Sequence, residues 1–214
     1  LMTARDLSKL AALTIKRFPD LYSIYSETNF THNKIKQGNR NPLLYKSMGA
    51  DGLKTGHTKA AGYGLTASVE RAGRRLVLVI NGLTSARKRT IESQRVIEWG
   101  FREYENHKVY NANDSVINID VWLGEAKTIP ALIETELLLT IKRSDKQKMK
   151  MIVNYEEPIS APISKGQKVG TLKVQIPHKT VLTYPLVSAI DVEQLNPLRR
   201  VLAAINYLVW GSGD

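Results

Sequence analysis

Apolar positions recur along this chain first at helical and mixed spacing, then at strand spacing, and the change of period divides it. Leu7, Leu10, Ala11 and Thr14 share one face of a helix expected over Thr3 to Arg17. Thr3 with Asp6 forms an N-terminal capping pattern, and Pro19 ends the helix. Leu21 to Tyr25 allows a short helical turn. Residues 32–50 are rich in Asn, Gly and Lys and contain Pro42, so they are expected to be loop. Three strands follow, over Gly52 to Gly56, Gly62 to Val69 and Arg75 to Leu83. The third carries Leu76, Val77, Leu78, Val79 and Ile80 without a break, which suggests a central strand covered on both faces. The short connections favour an antiparallel meander. Ile91, Ile97, Phe101 and Tyr104 then mark a long helix from about Ala86 to Tyr104.

Residues 106–115 are polar, and a domain boundary is expected there, giving a first domain over 1–105 and a second over 106–195. In the second, Val116 to Trp122, Glu136 to Lys142, Lys150 to Tyr155, Lys168 to Ile176 and Thr180 to Val187 are β-rich, with Pro and Gly between them. That spacing predicts a small β-sandwich or barrel. A terminal segment, 196–214, reads as a helix capped by Asn196 with Pro197 in its first position. Leu198, Val201, Leu202, Ile205, Leu208 and Val209 form its apolar stripe, with Arg199, Arg200 and Asn206 facing away. Helices and antiparallel strands segregated in this way define an α+β fold class.

Composition narrows the chemistry. The 214 residues include no cysteine, which excludes disulfides, thiolate metal sites and cysteine nucleophiles. No cofactor or metal is expected. The net charge of +11 suits an anionic partner. Nucleic acid is not the expected one, because neither aromatic-basic interleaving nor a zinc-finger or helix-turn-helix pattern occurs. An anionic membrane or cell-wall polymer fits better. The opening Leu1-Met2-Thr3-Ala4-Arg5 has no apolar signal core and reads as a cut within a longer protein or the residue of a removed signal.

The chemical signal lies in Asp51-Gly52-Leu53-Lys54-Thr55-Gly56-His57-Thr58. Peptide acyl transfer needs an aligned substrate, a holder for its terminal carboxylate and a stabilised oxyanion. An exposed strand edge can align an extended peptide as one more strand. Lys54 and the Thr55 hydroxyl can hold a carboxylate, and Gly56 leaves room where a substrate must come close. Taken as three letters, Lys-Thr-Gly is equally a turn on a surface strand.

The flanking residues carry more. With Asp51-Gly52 before it, His57-Thr58 after it and Ala61-Gly62-Tyr63 beyond, the run resembles the third signature motif of the D-alanyl-D-alanine carboxypeptidases, which are low-molecular-mass penicillin-binding proteins. Thr3-Ala4-Arg5-Asp6-Leu7 is similar to the opening of the helix after that family's second motif. Tyr22-Ser23-Ile24-Tyr25 and Asn39-Arg40-Asn41 with Leu43-Leu44 are similar to its segments between the second and third. The likeness runs from about Thr3 to Val187. It implies the C-terminal part of a β-lactamase/transpeptidase-like domain followed by a small all-β sandwich domain and a terminal amphipathic helix. It implies catalytic roles for Lys54, Thr55 and Gly56, an oxyanion contact from the backbone N–H of His57, and substrate-binding roles for Thr55, His57, Arg40 and Arg89. The implied partners are peptidoglycan stem peptides, β-lactam antibiotics in the complete protein, and a membrane surface met by the terminal helix. The implied location is periplasmic or extracytoplasmic. Bland readings stay open: solvated charge for Arg40 and Arg89, a loop histidine for His57, and a helix packed on its own domain for the terminal stripe.

Two departures limit the resemblance. The family's nucleophile motif, Ser-x-x-Lys, and its second, Ser-x-Asn, belong before Thr3. Ser85-Ala86-Arg87-Lys88 has the first spacing, but it follows Lys-Thr-Gly, and Ser85 reads as a helix cap. No Ser-x-Asn occurs, so no nucleophile is expected in this chain. The expected function is therefore part of a serine-type carboxypeptidase that trims terminal D-alanine through an acyl-enzyme. The alternative is a non-catalytic wall-binding or membrane-surface protein that keeps half a site. A fainter likeness of Met149-Lys150-Met151 to biotinyl carrier domains fails, since Lys146, Lys148 and Lys150 alternate into an apolar strand without the acidic lead-in.

Overall fold

A computed structural model describes residues 2–202. The chain divides into two compact units, one ending at Tyr104 and the other beginning at Glu105.

In the first unit, α1 (Ala4–Arg17) starts from a full capping box. The Asp6 N–H donates to Thr3 Oγ1 at 3.2 Å, and the Thr3 N–H donates to Asp6 Oδ2 at 2.9 Å. These bonds use donors that an uncapped helix leaves bare, and the bonds that the Thr3 N–H and hydroxyl donate to the carboxylate lower the Asp6 pKa. Lys16 and Arg17 sit in the last turn, where cations suit the helix dipole. A short α2 (Pro19–Tyr22) follows, with proline in its first turn.

A hairpin of β1 (Asn29–His32) and β2 (Ile35–Gly38) runs into the stretch expected to be loop, which also holds a 3₁₀ turn over Pro42–Tyr45. Asn33 and Lys34 both have positive φ, 47° and 65°, as a two-residue turn matching the strand twist requires. Every residue of both strands is exposed, so no burial alternation marks them in the sequence.

A three-stranded antiparallel sheet forms the frame: β3 (Ala50–Thr58), β4 (Gly62–Arg71) and β5 (Arg74–Leu83), in that order. The strand expected to be central, β5, is thus an edge of this sheet among the described residues, and β4 is central. Its unbroken apolar run has another cause. Val77 packs in a cluster with Ala11, Ile15 and Tyr22, whereas Leu76, Leu78 and Ile80 pack in a cluster with Leu65, Val69 and Ile97. Cover on both faces, not a central position, makes the run apolar.

The last element of this unit is α3 (Ala86–Glu103), capped by Ser85, whose Oγ accepts from the Lys88 N–H at 3.1 Å. Its buried face is Arg89, Ser93 and Ile97, one turn apart each. Ile91, placed by the sequence pattern on the apolar face, is 50% exposed. Arg71 ties α3 to the sheet, donating to both carboxylate oxygens of Glu98 and to the Met48 carbonyl.

The second unit is almost wholly β. The chain enters it within β6 (Tyr104–Tyr110) and continues through β7 (Asp114–Trp122), β8 (Thr128–Ile133), β9 (Leu137–Lys142), β10 (Lys150–Tyr155), β11 (Ile159–Ser160), β12 (Lys168–Gln175) and β13 (Leu182–Ser188). Six strands pair in the order β10-β12-β13-β8-β7-β11, and β6 pairs with β9. Alternate residues point inward: Ile129, Ala131 and Ile133 on β8, and Leu137, Leu139 and Ile141 on β9. They meet Ile119, Leu172, Val174 and Leu186 in one core. The sequence pattern did not mark β8, because Pro130 in its middle argues against a strand.

At the chain's end, Asn196 caps a helix beginning at Pro197, its Oδ1 accepting from the Arg199 N–H at 2.9 Å. Leu198, Val201 and Leu202 are exposed. The rest of the stripe, Ile205, Leu208 and Val209, lies outside the described residues.

Candidate active site

The Lys-Thr-Gly run occupies β3, an edge of the sheet among the described residues. Lys54 stands opposite Thr66, Thr55 opposite Leu65, Gly56 opposite Gly64 and His57 opposite Tyr63. Strand alternation sends Lys54 and Thr55 to opposite faces: Lys54 is exposed and Thr55 buried. Lys54 lines a cleft of about 140 Å³ with Thr66 of β4 and Leu7, Leu10, Ala11 and Thr14 of α1. Its ammonium donates to the Thr55 carbonyl at 2.9 Å. A Cβ at Gly56 would meet nothing within 4 Å, so this position opens outward. A Cβ at Gly64 would lie 2.3 Å from Asn81 Oδ1 and 3.2 Å from the Ile80 carbonyl, so a side chain there would have to displace Asn81.

Residues far apart in sequence fix the start of this strand. Asp51 accepts from the Tyr22 hydroxyl at 2.7 Å and from Arg75 Nη1 at 2.6 Å. Arg75 also donates to Ser68 Oγ at 2.6 Å and to the Glu70 carboxylate. Asn41, 1% exposed, donates to the Gly52 carbonyl at 2.7 Å and accepts from the Leu43 N–H at 3.1 Å. Two groups thus hold β3 within three residues of Lys54.

Burial, with the neighbouring Asp51 carboxylate, pushes the Tyr22 hydroxyl from its usual 10 up to about 12. The neutral phenol is the form the fold favours. Its contribution is fully present below the unfolded pKa and is lost as pH rises through the folded one. Urea unfolding of the native chain and of Tyr22→Phe should show the native advantage shrinking between about pH 10 and pH 12. A constant difference across that window would contradict the assignment.

His57 and Arg89 converge on one side chain. The His57 ring lies 4.0 Å from the Tyr63 ring, and the Arg89 guanidinium carbon lies 5.8 Å from that ring's centroid. Arg89 is 9% exposed, so it is not the solvated charge of the bland reading. Among the described residues its Nε has no hydrogen-bond partner, and neither has the Oγ of Ser93 one turn further on. Unpaired polar groups are uncommon in interiors and mark places where a ligand can complete the bonding. Arg40 is different: it is exposed, and among the described residues it makes no hydrogen bond or ion pair. The asparagines on either side of it do the local bonding. The structure thus gathers Lys54, Thr55, Gly56 and His57 on one edge strand with Arg89 reached through Tyr63, while Arg40 stands apart from these contacts. The sequence reading missed Asn41, Tyr22 and Arg75 as supports. The Tyr22-Ser23-Ile24-Tyr25 and Asn39-Arg40-Asn41 runs were the signals that pointed near them.

An edge strand bearing Lys-Thr-Gly beside a buried arginine is the arrangement expected of active-site serine penicillin-recognising enzymes. Comparison with known proteins gives the family. Residues 1–85 match the model for D-alanyl-D-alanine carboxypeptidase, and residues 104–194 match that for the C-terminal domain of penicillin-binding protein 5. Both matches, with the relatives that follow, support the D-alanyl-D-alanine carboxypeptidase family for this chain. It is 36% identical over 184 residues to D-alanyl-D-alanine carboxypeptidase DacA of Haemophilus influenzae, covering 84% of this chain and 46% of that protein. It is 36% identical over 194 residues to DacC of Escherichia coli K12, covering 90% and 48%. The solved structure of penicillin binding protein 5 from Haemophilus influenzae matches with a TM-score of 0.74 at 33% identity, over 90% of this chain and 57% of that one. The chain spans about half the length of the curated relatives it matches.

Proposed function

We propose that the chain supplies the substrate-aligning part of a serine-type carboxypeptidase that removes terminal D-alanine from peptidoglycan stem peptides through an acyl-enzyme. The observation that carries this reading is the pairing of an outward-opening Lys-Thr-Gly edge strand with a desolvated guanidinium whose Nε is unpaired. A peptide laid along β3 gains main-chain hydrogen bonds. Its terminal carboxylate is met by Thr55 and Arg89, which bind it more strongly out of water than in it. The backbone N–H of His57 stabilises the oxyanion. Lys54 places positive charge beside the reacting centre. β-Lactams enter the same site as acylating ligands, in keeping with the penicillin-binding name of the relatives.

The location we propose is the outer face of the cytoplasmic membrane. The exposed Leu198, Val201 and Leu202 support it, since an apolar helix face of this kind can lie in a bilayer interface. No helix among the described residues is long and apolar enough to cross a membrane.

The test is release of D-alanine from a peptide ending in D-Ala-D-Ala by the complete protein. Absence of release sinks the reading and favours a non-catalytic wall-binding role. The chain by itself should give no covalent band with a fluorescent penicillin. Ser85 is occupied as a cap, so Ser85→Ala should cost about 1 kcal/mol of stability and leave labelling at zero. A band abolished by that substitution would make Ser85 a nucleophile.

A further inference from the structure

Arg89 poses a physical problem that its own helix does not solve. A guanidinium that is 9% exposed needs its plane fixed if it is to offer its fork to a carboxylate in one orientation. Among the described residues its Nε makes no hydrogen bond, so polar contacts there do not fix it. Ser93, on the same buried face, is 0% exposed, and its Oγ is also unpaired. What lies against Arg89 is the ring of Tyr63, at 5.8 Å. Arginine groups stack on aromatic faces, and the attraction grows as water is excluded.

Tyr63 is itself fixed. It pairs with His57 across β3 and β4, and the two rings are 4.0 Å apart and inclined by 35°. Its other neighbour in the sheet is Leu83 of β5. The stack therefore links a strand-edge residue, an aromatic plate and a cation from α3.

We propose that Tyr63 is a positioning residue that sets the preference for a free terminal carboxylate. Its ring holds Arg89 in register with the β3 edge, so that the carboxylate meets the guanidinium while the peptide is paired to β3. This rests on the reading of the site given above. The ring is what matters, and the hydroxyl is not needed.

The experiment compares two peptides with the complete protein, one ending in D-Ala-D-Ala with a free carboxylate and one ending in the corresponding amide. The quantity read is the ratio of their kcat/KM values. Tyr63→Leu should lower that ratio roughly tenfold, the scale of a desolvated cation–aromatic contact, with the loss carried by KM of the carboxylate peptide. Tyr63→Phe should keep the native ratio. A merely structural tyrosine would lower both peptides' rates together and leave the ratio unchanged. A native ratio in Tyr63→Leu overturns the proposal. So does a loss in Tyr63→Phe, which decides the matter even if the leucine variant does not fold. If the native protein cleaves the terminal D-Ala-D-Ala bond of neither peptide, the reading of the site falls and this inference falls with it. If release is normal and only the ratio fails to respond, this inference alone falls.

Discussion

Lys54→Ala in the complete protein is expected to slow acylation by a β-lactam or a D-Ala-D-Ala peptide at least about a hundredfold, the scale of one lost electrostatic contact at a reacting centre. The side chain is exposed in this chain and lines the cleft between β3 and α1, so its removal leaves no cavity in either core of the first unit. Folding should be close to native, and the loss should appear in the chemical step. Thr55→Val is the companion variant. Thr55 is buried with its hydroxyl on the strand that the substrate would pair with, and valine keeps the shape while removing the hydroxyl. Carboxylate recognition should then weaken with stability little changed. Acylation rates at native level in both variants would remove β3 from the active site. A fall in Lys54→Ala that tracked loss of folded protein would assign the lysine to structure.

The parts of this fold that were legible in the sequence are those where one signal dominates. The Thr3–Asp6 cap, Pro19 and the spacing of Leu7, Leu10 and Ala11 mark α1, and the structure has it over Ala4–Arg17. The meander was readable because its strands are apolar and its connections short. The β1–β2 hairpin was not, since both strands are exposed throughout and composition there reads as loop. β8 was hidden by Pro130. The face of α3 was read only in part, for a more instructive reason: Ile97 and Phe101 pack in the core as expected, but Ile91 does not. Its buried positions are Arg89, Ser93 and Ile97, and two of the three are polar. A periodicity count assigns such residues to solvent, and the apolar Ile91 to the core, although it is 50% exposed. Local rules fail at such a place because burial there falls on polar groups, which a count of apolar spacing cannot mark. The motif strand itself was legible, but its supports were not. Asp51 meets Arg75 and Tyr22 across 24 and 29 residues of sequence, and no short-range pattern encodes such a contact.

The support with the largest expected effect on folding is Asn41. It is 1% exposed and bonds in three directions. Its own N–H donates to Asn39 Oδ1 at 2.9 Å, its side-chain amide donates to the Gly52 carbonyl at 2.7 Å, and its side-chain oxygen accepts from the Leu43 N–H at 3.1 Å. Asn41→Ala leaves the Gly52 carbonyl and the Leu43 N–H buried without partners. Each such group costs on the order of 1–3 kcal/mol, so the pair should cost roughly 3 kcal/mol, a large share of the stability of a domain this size. Asn41→Asp separates bonding from packing. It has nearly the same shape and can still accept from Leu43, but it turns an oxygen toward the Gly52 oxygen. It should therefore be at least as damaging as alanine. Urea unfolding gives the loss, and hydrogen exchange at the β3 amides assigns it to this strand. Because Gly52 lies two residues before Lys54, the strand carrying the motif should open first, with faster exchange in β3 than in the second unit. If Asn41→Asp were as stable as the native chain, packing alone would hold this corner, and the hydrogen bond to Gly52 could not be what sets the position of the Lys54 strand.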